Sequence, residues 1–240
     1  MSDSTIAASE VQAIAQKLLD APPTKQIQLL QQLAEGGETG IQALIDFLQA
    51  RQNQPPTIAM GKAYQLLIQQ DYPQAQDFVR NTLPEGVVPL QSDRNMDYRQ
   101  LQEQLAQADF LKADRQTAQK LCELGGEMAA KRKWLYFTEA ARLPVTDLRT
   151  INTLWQVYSE GKFGYSVQRE LWLSAGKDWE KFWQKINWKT GNKWTRYPNE
   201  FTWDLSAPKG HLPLSNQLRG VRVLKEILTH PAWQNDTSDQ

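Results

Sequence analysis

Hydrophobic residues in the first third of the chain recur at steps of three and four and are broken by turn signals. Val11, Ile14, Leu18 and Leu19 form one stripe, stopped by Asp20-Ala21-Pro22-Pro23. Ile27, Leu30 and Leu33 form a second, ended by Gly36-Gly37. Ile41, Leu44, Ile45 and Leu48 form a third, ended by Pro55-Pro56. Ile58, Leu66 and Leu67 belong to a fourth, and Ala75, Phe78 and Val79 to a fifth that stops at Leu83-Pro84. Such spacing gathers apolar side chains on one helical face. It predicts an N-terminal helical bundle over residues 1–84, with lengths that also suit a helical-pair repeat. The segment has no His, Cys or clustered carboxylates, so a scaffold or docking role is expected of it.

The stretch 85–96 has a Gly, a Pro and no helical stripe, and is expected to be a linker. The pattern then resumes over residues 97–240. Asp97 is placed to cap a helix holding Tyr98, Leu101, Leu105 and Ala108, and a second helix is expected over Lys112–Leu124, stopping at Gly125-Gly126. Leu148, Ile151, Leu154, Trp155 and Tyr158 mark another, followed by a turn at residues 161–166 and a helix over Val167–Leu173. Trp179, Phe182, Trp183 and Ile186 give the inner face of the next. Trp188 and Trp194 flank an expected loop, Lys189–Lys193. Ser215 is a good N-cap for a last helix running to about His230, because its hydroxyl can accept a free N–H of the first turn and Pro231 disfavours helical geometry before it. No run of alternating β-branched residues is long enough for a sheet, so the class is all-α.

Composition separates the two segments further. All nine tryptophans lie between Trp134 and Trp233. Residues 1–96 carry 6 basic and 10 acidic side chains and residues 97–240 carry 21 and 17, so a chain of zero net charge is mildly basic in its second part. That excess is small for a nucleic-acid surface. A lone cysteine, Cys122, excludes an intrachain disulfide and suits a reducing compartment. No apolar run is long enough for a membrane span, and no secretory or plastid-type leader is legible. Neither a phosphate-cradling glycine loop nor metal-ligand spacing is present, so independent catalysis is not expected.

Candidate chemistry gathers in Phe201–Arg222. Phe201 and Trp203 precede an apolar corner, Leu212-Pro213-Leu214, and Asn216, Arg219 and Arg222 step by three along the expected last helix. Neighbours at that spacing share a face. An amide and two guanidiniums beside aromatic residues would suit a flat, apolar, acidic ligand. An ordinary solvated face, with Glu226 paired to Arg222, remains the alternative. Trp194 and Tyr197, in the preceding loop, are further ligand candidates, whereas Trp155, Trp172, Trp179 and Trp183 sit on helical stripes and are expected in the core.

Three stretches carry a resemblance to a known family: GKFGYSVQRELWLSAGKDW from Gly161, NKWTRYPNEFTWDLSAPKGHLP from Asn192 and LSNQLRGVRVL from Leu214. They resemble the genomes-uncoupled-four proteins, porphyrin-binding regulators of magnesium chelatase, over roughly residues 96–233, and the two-segment plan resembles the cyanobacterial members. The resemblance implies an all-helical core shaped like a cupped hand with an apolar concave face. It implies binding of protoporphyrin IX and Mg-protoporphyrin IX. As partner it implies the large porphyrin-handling subunit of magnesium chelatase, whose reaction the chain would stimulate as an accessory protein and not as an enzyme. The expected setting is cyanobacterial cytoplasm, with docking at a membrane surface left open. The resemblance places the porphyrin at Phe201, Trp203, Asn216, Arg219 and Arg222. Leu212, Pro213 and Leu214 would cover the ring, and the arginines would grip its propionates. Magnesium prefers hard oxygen ligands, which makes Asn216 the candidate axial ligand, ahead of His211, for which a loop or capping role is expected. A helical adaptor without a small ligand is the competing function.

Overall fold

The computed structural model describes residues 8–215 and 220–234. Two units divide the chain, residues 1–89 and 90–240. The first unit is built from α1 (Ala8–Asp20), α2 (Pro23–Ala34), α3 (Gly37–Gln49), α4 (Ile58–Ile68) and α5 (Pro73–Thr82). Each of the first three helices packs on the next two in sequence, which is the stacking expected of a helical repeat. The stripes read from the sequence are the buried faces: Val11, Leu18, Leu30, Leu33, Ile41, Leu44 and Leu67 are all inside. Leu19 is the exception, at 58% exposed. Pro22 and Pro23 start α2 where a missing N–H costs nothing, and Thr57 caps α4 by accepting the Met60 N–H at 3.2 Å.

In the second unit, α6 (Arg99–Ala106), α7 (Phe110–Leu124) and α10 (Val145–Tyr158) form one core. Phe110 packs against Trp155 and Phe163, with ring centroids 6.0 and 5.4 Å away. Polar tips in that core find partners: the Trp155 indole N–H donates to Thr117 Oγ1 at 3.0 Å, and the Tyr158 hydroxyl to Gln102 Oε1 at 2.7 Å. Asp147 is fully buried and accepts from the Ser92 hydroxyl, the Asp93 N–H and the Tyr98 hydroxyl. Those bonds fasten Ser92 and Asp93, within the expected linker, to this core.

Between α7 and α10 lie two short helices, α8 (Glu127–Arg132) and α9 (Phe137–Ala140). Six and four residues are too few to carry a legible period, so the sequence pattern did not separate them. Next come α11 (Tyr165–Ser174) and α12 (Trp179–Lys185), the latter capped by Asp178, which accepts the Glu180 and Lys181 N–H groups. A second core, Trp172, Phe182, Trp183, Ile186, Trp188, Phe201, Leu224 and Leu228, joins these helices to the last one. The expected loop after Trp188 is a two-stranded turn, β1 (Lys189–Thr190) paired antiparallel with β2 (Lys193–Trp194). It is too small to change the all-α class.

The last helix differs from its expected extent. Its described part is α13 (Arg222–Leu228), and Ser215 itself has no helical conformation. Gly220 has φ +78°, a left-handed conformation that an α-helix cannot pass through. A helix begun at Ser215 therefore cannot continue into Arg222. His230 lies past the helix, where its Nδ1 accepts the Ala232 N–H of a closing 3₁₀ turn, Pro231–Trp233.

Candidate functional site

A cleft of about 1100 Å³ opens in the second unit. This is just above the usual range for ligand pockets, ~300–1,000 Å³. One wall is a face of α7. Asp114, Ala118 and Cys122 make its inner row at four-residue steps, and Arg115, Gln119 and Glu123 the row beside it. Small side chains at 118 and 122 leave that face flat and shallow. Trp194 of β2 and Tyr197, Phe201 and Leu214 from the loops after it line the cleft, with Arg196 among them, and Lys133 closes it from the end of α8.

The loop wall is held in place by specific bonds. Arg115 Nε donates to the Tyr197 hydroxyl at 3.1 Å and so ties the loop to α7. Trp203 packs edge-on against Tyr197 at 5.9 Å, and its indole N–H donates to the Pro198 carbonyl at 2.9 Å. Trp194 meets Trp183 of the core at 5.6 Å. Phe201 is buried against Trp188 and His211. His211 is fully buried and uses both ring nitrogens: Nδ1 lies 2.6 Å from the Ile186 carbonyl and Nε2 accepts the Thr202 N–H at 3.2 Å. Those partners require a neutral ring with its proton on Nδ1, and burial lowers the pKa in the same sense. His211 is therefore a brace for the loop and not available as an axial ligand.

Electrostatically the cleft is mixed. Arg115, Lys133 and Arg196 are exposed at it. Glu123 is held by Lys120 at 2.9 Å and Gln119 at 2.7 Å, so most of its charge is already met. Asp114 is buried, accepts the Leu214 N–H at 2.7 Å, and has its carboxyl pushed up to about 7 by desolvation. Burial also pushes the Cys122 thiol up, which makes it a small neutral wall residue. Among the described residues no group of three His, Cys, Asp or Glu side chains is placed to hold a metal ion.

The expected site residues separate into four groups. Trp194, Tyr197, Phe201 and Leu214 come together at the cleft. Trp203 supports it from behind, packed on the second core. Leu212 and Pro213 are buried and do not line it: the Leu212 carbonyl accepts the Gly164 N–H, and the Pro213 carbonyl accepts from the Gln168 side chain. Asn216 and Arg219 lie outside the described residues. Arg222 is also away from the lining, with its guanidinium 5.4 Å from the Phe137 ring centroid. The shared arginine face needed an uninterrupted helix, and Gly220 breaks it. Sequence reasoning passed over the α7 wall. Its signal was faint: an aspartate and two small residues at 114, 118 and 122 where a packed helix face would carry larger apolar side chains.

An all-helical core with an aromatic, cation-bordered cleft, preceded by a stack of short helices, defines a small-ligand-binding class of helical protein. Comparison with known proteins specifies it. The GUN4-like family matches residues 91–231, and a second model, described as an ARM-like repeat domain at the GUN4 N-terminus, matches residues 1–84. The chain belongs to the genomes-uncoupled-four (GUN4) family. A Ycf53-like protein of Synechocystis is 50% identical over 223 residues, covering 92% of this chain and 95% of that one. The chloroplastic tetrapyrrole-binding protein of Arabidopsis thaliana is 39% identical over 142 residues, 55% of this chain and 54% of that protein. The solved structure of GUN4 from Chlamydomonas reinhardtii is 41% identical with a TM-score of 0.58, covering 61% of this chain and 96% of that one.

Proposed function

We propose that the second unit binds a tetrapyrrole, protoporphyrin IX and its magnesium complex, in the cleft between α7 and the Trp194–Phe201 loop. The observation that carries this is the pairing of a flat, small-residue helix face with three aromatic side chains in a space of about 1100 Å³. A π-disc is covered well by aromatic and aliphatic surface, and its two propionates need few, well-placed cations. Arg115, Arg196 and Lys133 supply those cations, and Asn216 and Arg219 remain candidates by resemblance. The name of the Arabidopsis relative supports the same ligand class.

In this account the chain is an accessory protein. It presents porphyrin to the large porphyrin-handling subunit of magnesium chelatase and stimulates metal insertion during chlorophyll biosynthesis. Cyanobacterial cytoplasm is the assigned setting, in line with the Synechocystis relative. Among the described residues no helix is long and apolar enough to cross a membrane, so contact with a membrane would be peripheral. Titration of the full chain with each porphyrin, followed by tryptophan fluorescence and the porphyrin absorption band, tests the binding. Saturable quenching is expected, weakened about tenfold by Arg196→Ala and less than twofold by Arg222→Ala. A tenfold loss corresponds to about 1.4 kcal/mol, within reach of one charge-assisted hydrogen bond. No quenching, or a larger loss from Arg222→Ala, would overturn this assignment. Adding the chain to reconstituted chelatase tests the accessory role: a higher rate of magnesium insertion is expected, and an unchanged rate with porphyrin bound would leave a binding protein without it.

A further inference from the structure

Asp114 stands apart from the other charged residues of the cleft. Arg115, Lys133 and Arg196 are exposed at its edge, and Glu123 is already engaged by Lys120 and Gln119. Asp114 lines the same space at only 5% exposure. Its carboxyl accepts the Leu214 N–H at 2.7 Å, a bond that ties α7 to a segment far along the chain. An ionised carboxylate has about four acceptor sites, so one backbone donor meets little of that capacity. Arg115 follows it directly in sequence and acts on it only through space.

The groups on the elements packed around Asp114 supply no close counter-charge. Tyr165, at the start of α11, and Cys122, further along α7, are buried, and burial keeps both neutral. On α10 the charged side chains are engaged elsewhere, Asp147 by Tyr98 and Arg149 by the Ala232 carbonyl. On α6, Glu103 faces solvent. Lys133, Arg196 and Tyr197 stand at the open side of the cleft, where water and salt screen them.

An ionised Asp114 is therefore a buried anion with little to meet it, and its carboxyl is pushed up to about 7. The neutral form gives up nothing at Leu214: its carbonyl oxygen still accepts that N–H, and its O–H adds a donor. An acidic ligand sharpens the balance. Its carboxylates bring like charge toward Asp114, and its body displaces water that would screen the two. A proton on Asp114 and a ligand in the cleft then strengthen each other reciprocally.

We infer that binding of an acidic ligand in this cleft is coupled to protonation of the Asp114 carboxyl, so that ionisation of Asp114 acts as a release signal. The inference rests on the tetrapyrrole binding proposed above. The proton comes from the buffer and forms an O–H bond at one carboxyl oxygen; no other bond is made or broken.

The test is calorimetric titration of the full chain with protoporphyrin IX in buffers of different ionisation enthalpy, which counts the protons taken up on binding. At pH 7.5 the wild-type chain should take up roughly half a proton or more, and at pH 5.5 the share from Asp114 should vanish because the carboxyl is already protonated. Uptake by the ligand's own propionates would follow the opposite trend, since carboxylates of ordinary pKa titrate nearer the lower pH. Asp114→Asn, whose side-chain oxygen still accepts the Leu214 N–H, should remove the uptake at pH 7.5. Quenching titrations give a second reading. Wild-type affinity should fall by up to about tenfold from pH 6 to pH 8, and that of the variant should change by less than about twofold. Equal uptake in both proteins, or none in wild type at pH 7.5 while porphyrin binds, overturns the inference and leaves tetrapyrrole binding intact. If the variant loses its helical circular dichroism, the inference stands on wild-type uptake at pH 7.5 exceeding that at pH 5.5, and falls if it does not. A wild-type chain that binds no porphyrin removes both readings.

Discussion

A single buried carboxyl gives the second unit a distinctive acid–base property. Desolvation raises Asp114 to about 7 in the fold, against ~3.9 for an unfolded aspartate. Between those values the folded chain holds a proton that the unfolded chain has lost. Stability from this group is therefore fully present below the lower value and declines as pH rises through the upper one. Without ligand, the Asp114→Asn variant should gain in melting temperature relative to wild type as pH is raised from 4.5 to 7.5. A constant difference across that window would show that Asp114 ionises freely in the fold. His211 illustrates the opposite solution. Both its nitrogens are matched by backbone groups, so its burial needs no ligand and leaves no chemistry to perform.

Among the elements, those with several turns and one apolar face were legible from spacing. The stripes Val11–Leu18, Ile41–Leu48 and Leu148–Tyr158 are buried in the fold as read. What spacing could not convey was interruption and shape. Gly220 sits inside an acceptable helical pattern, and its left-handed backbone bars a helix from running through it into α13. Likewise Ala118 and Cys122 fit a helix face whether it is packed or left open to a ligand, so the α7 wall emerged only from three-dimensional placement. Aromatic density did point to a loop that lines the cleft, because Trp194, Tyr197 and Phe201 lie close in sequence and remain close in space. Close helix approach also leaves an elemental signature in the first unit. A Cβ on Gly40 would come 1.8 Å from the Leu33 carbonyl oxygen, so α2 and α3 meet there on backbone. Gly40→Ala should destabilise that unit by about 1–3 kcal/mol, the range for overpacking. Urea unfolding of the full chain would register it; porphyrin affinity should not change, since every cleft residue lies beyond residue 89. An unaltered unfolding curve would mean that the helices can part at no cost.

At the scale of the molecule, the chain has two helical units. The first has the stacked helices of a repeat and, among the described residues, no group of His, Cys, Asp or Glu that could hold a metal ion. The second combines two cores, one around Trp155 and one around Trp183, with a cleft whose walls they support. Buried polar groups such as Asp147 and His211 are matched by hydrogen bonds that fasten loop segments to these cores. The central claim is that this cleft receives the tetrapyrrole. Its most direct test fills the space from the flat wall: Ala118→Phe projects a ring from an exposed position of α7 into the cleft while leaving both cores alone. Titrated with protoporphyrin IX under conditions where wild type saturates, the variant should retain its helical circular dichroism and lose binding by more than tenfold. Wild-type affinity in the folded variant would contradict the account, because the ligand would then be bound elsewhere.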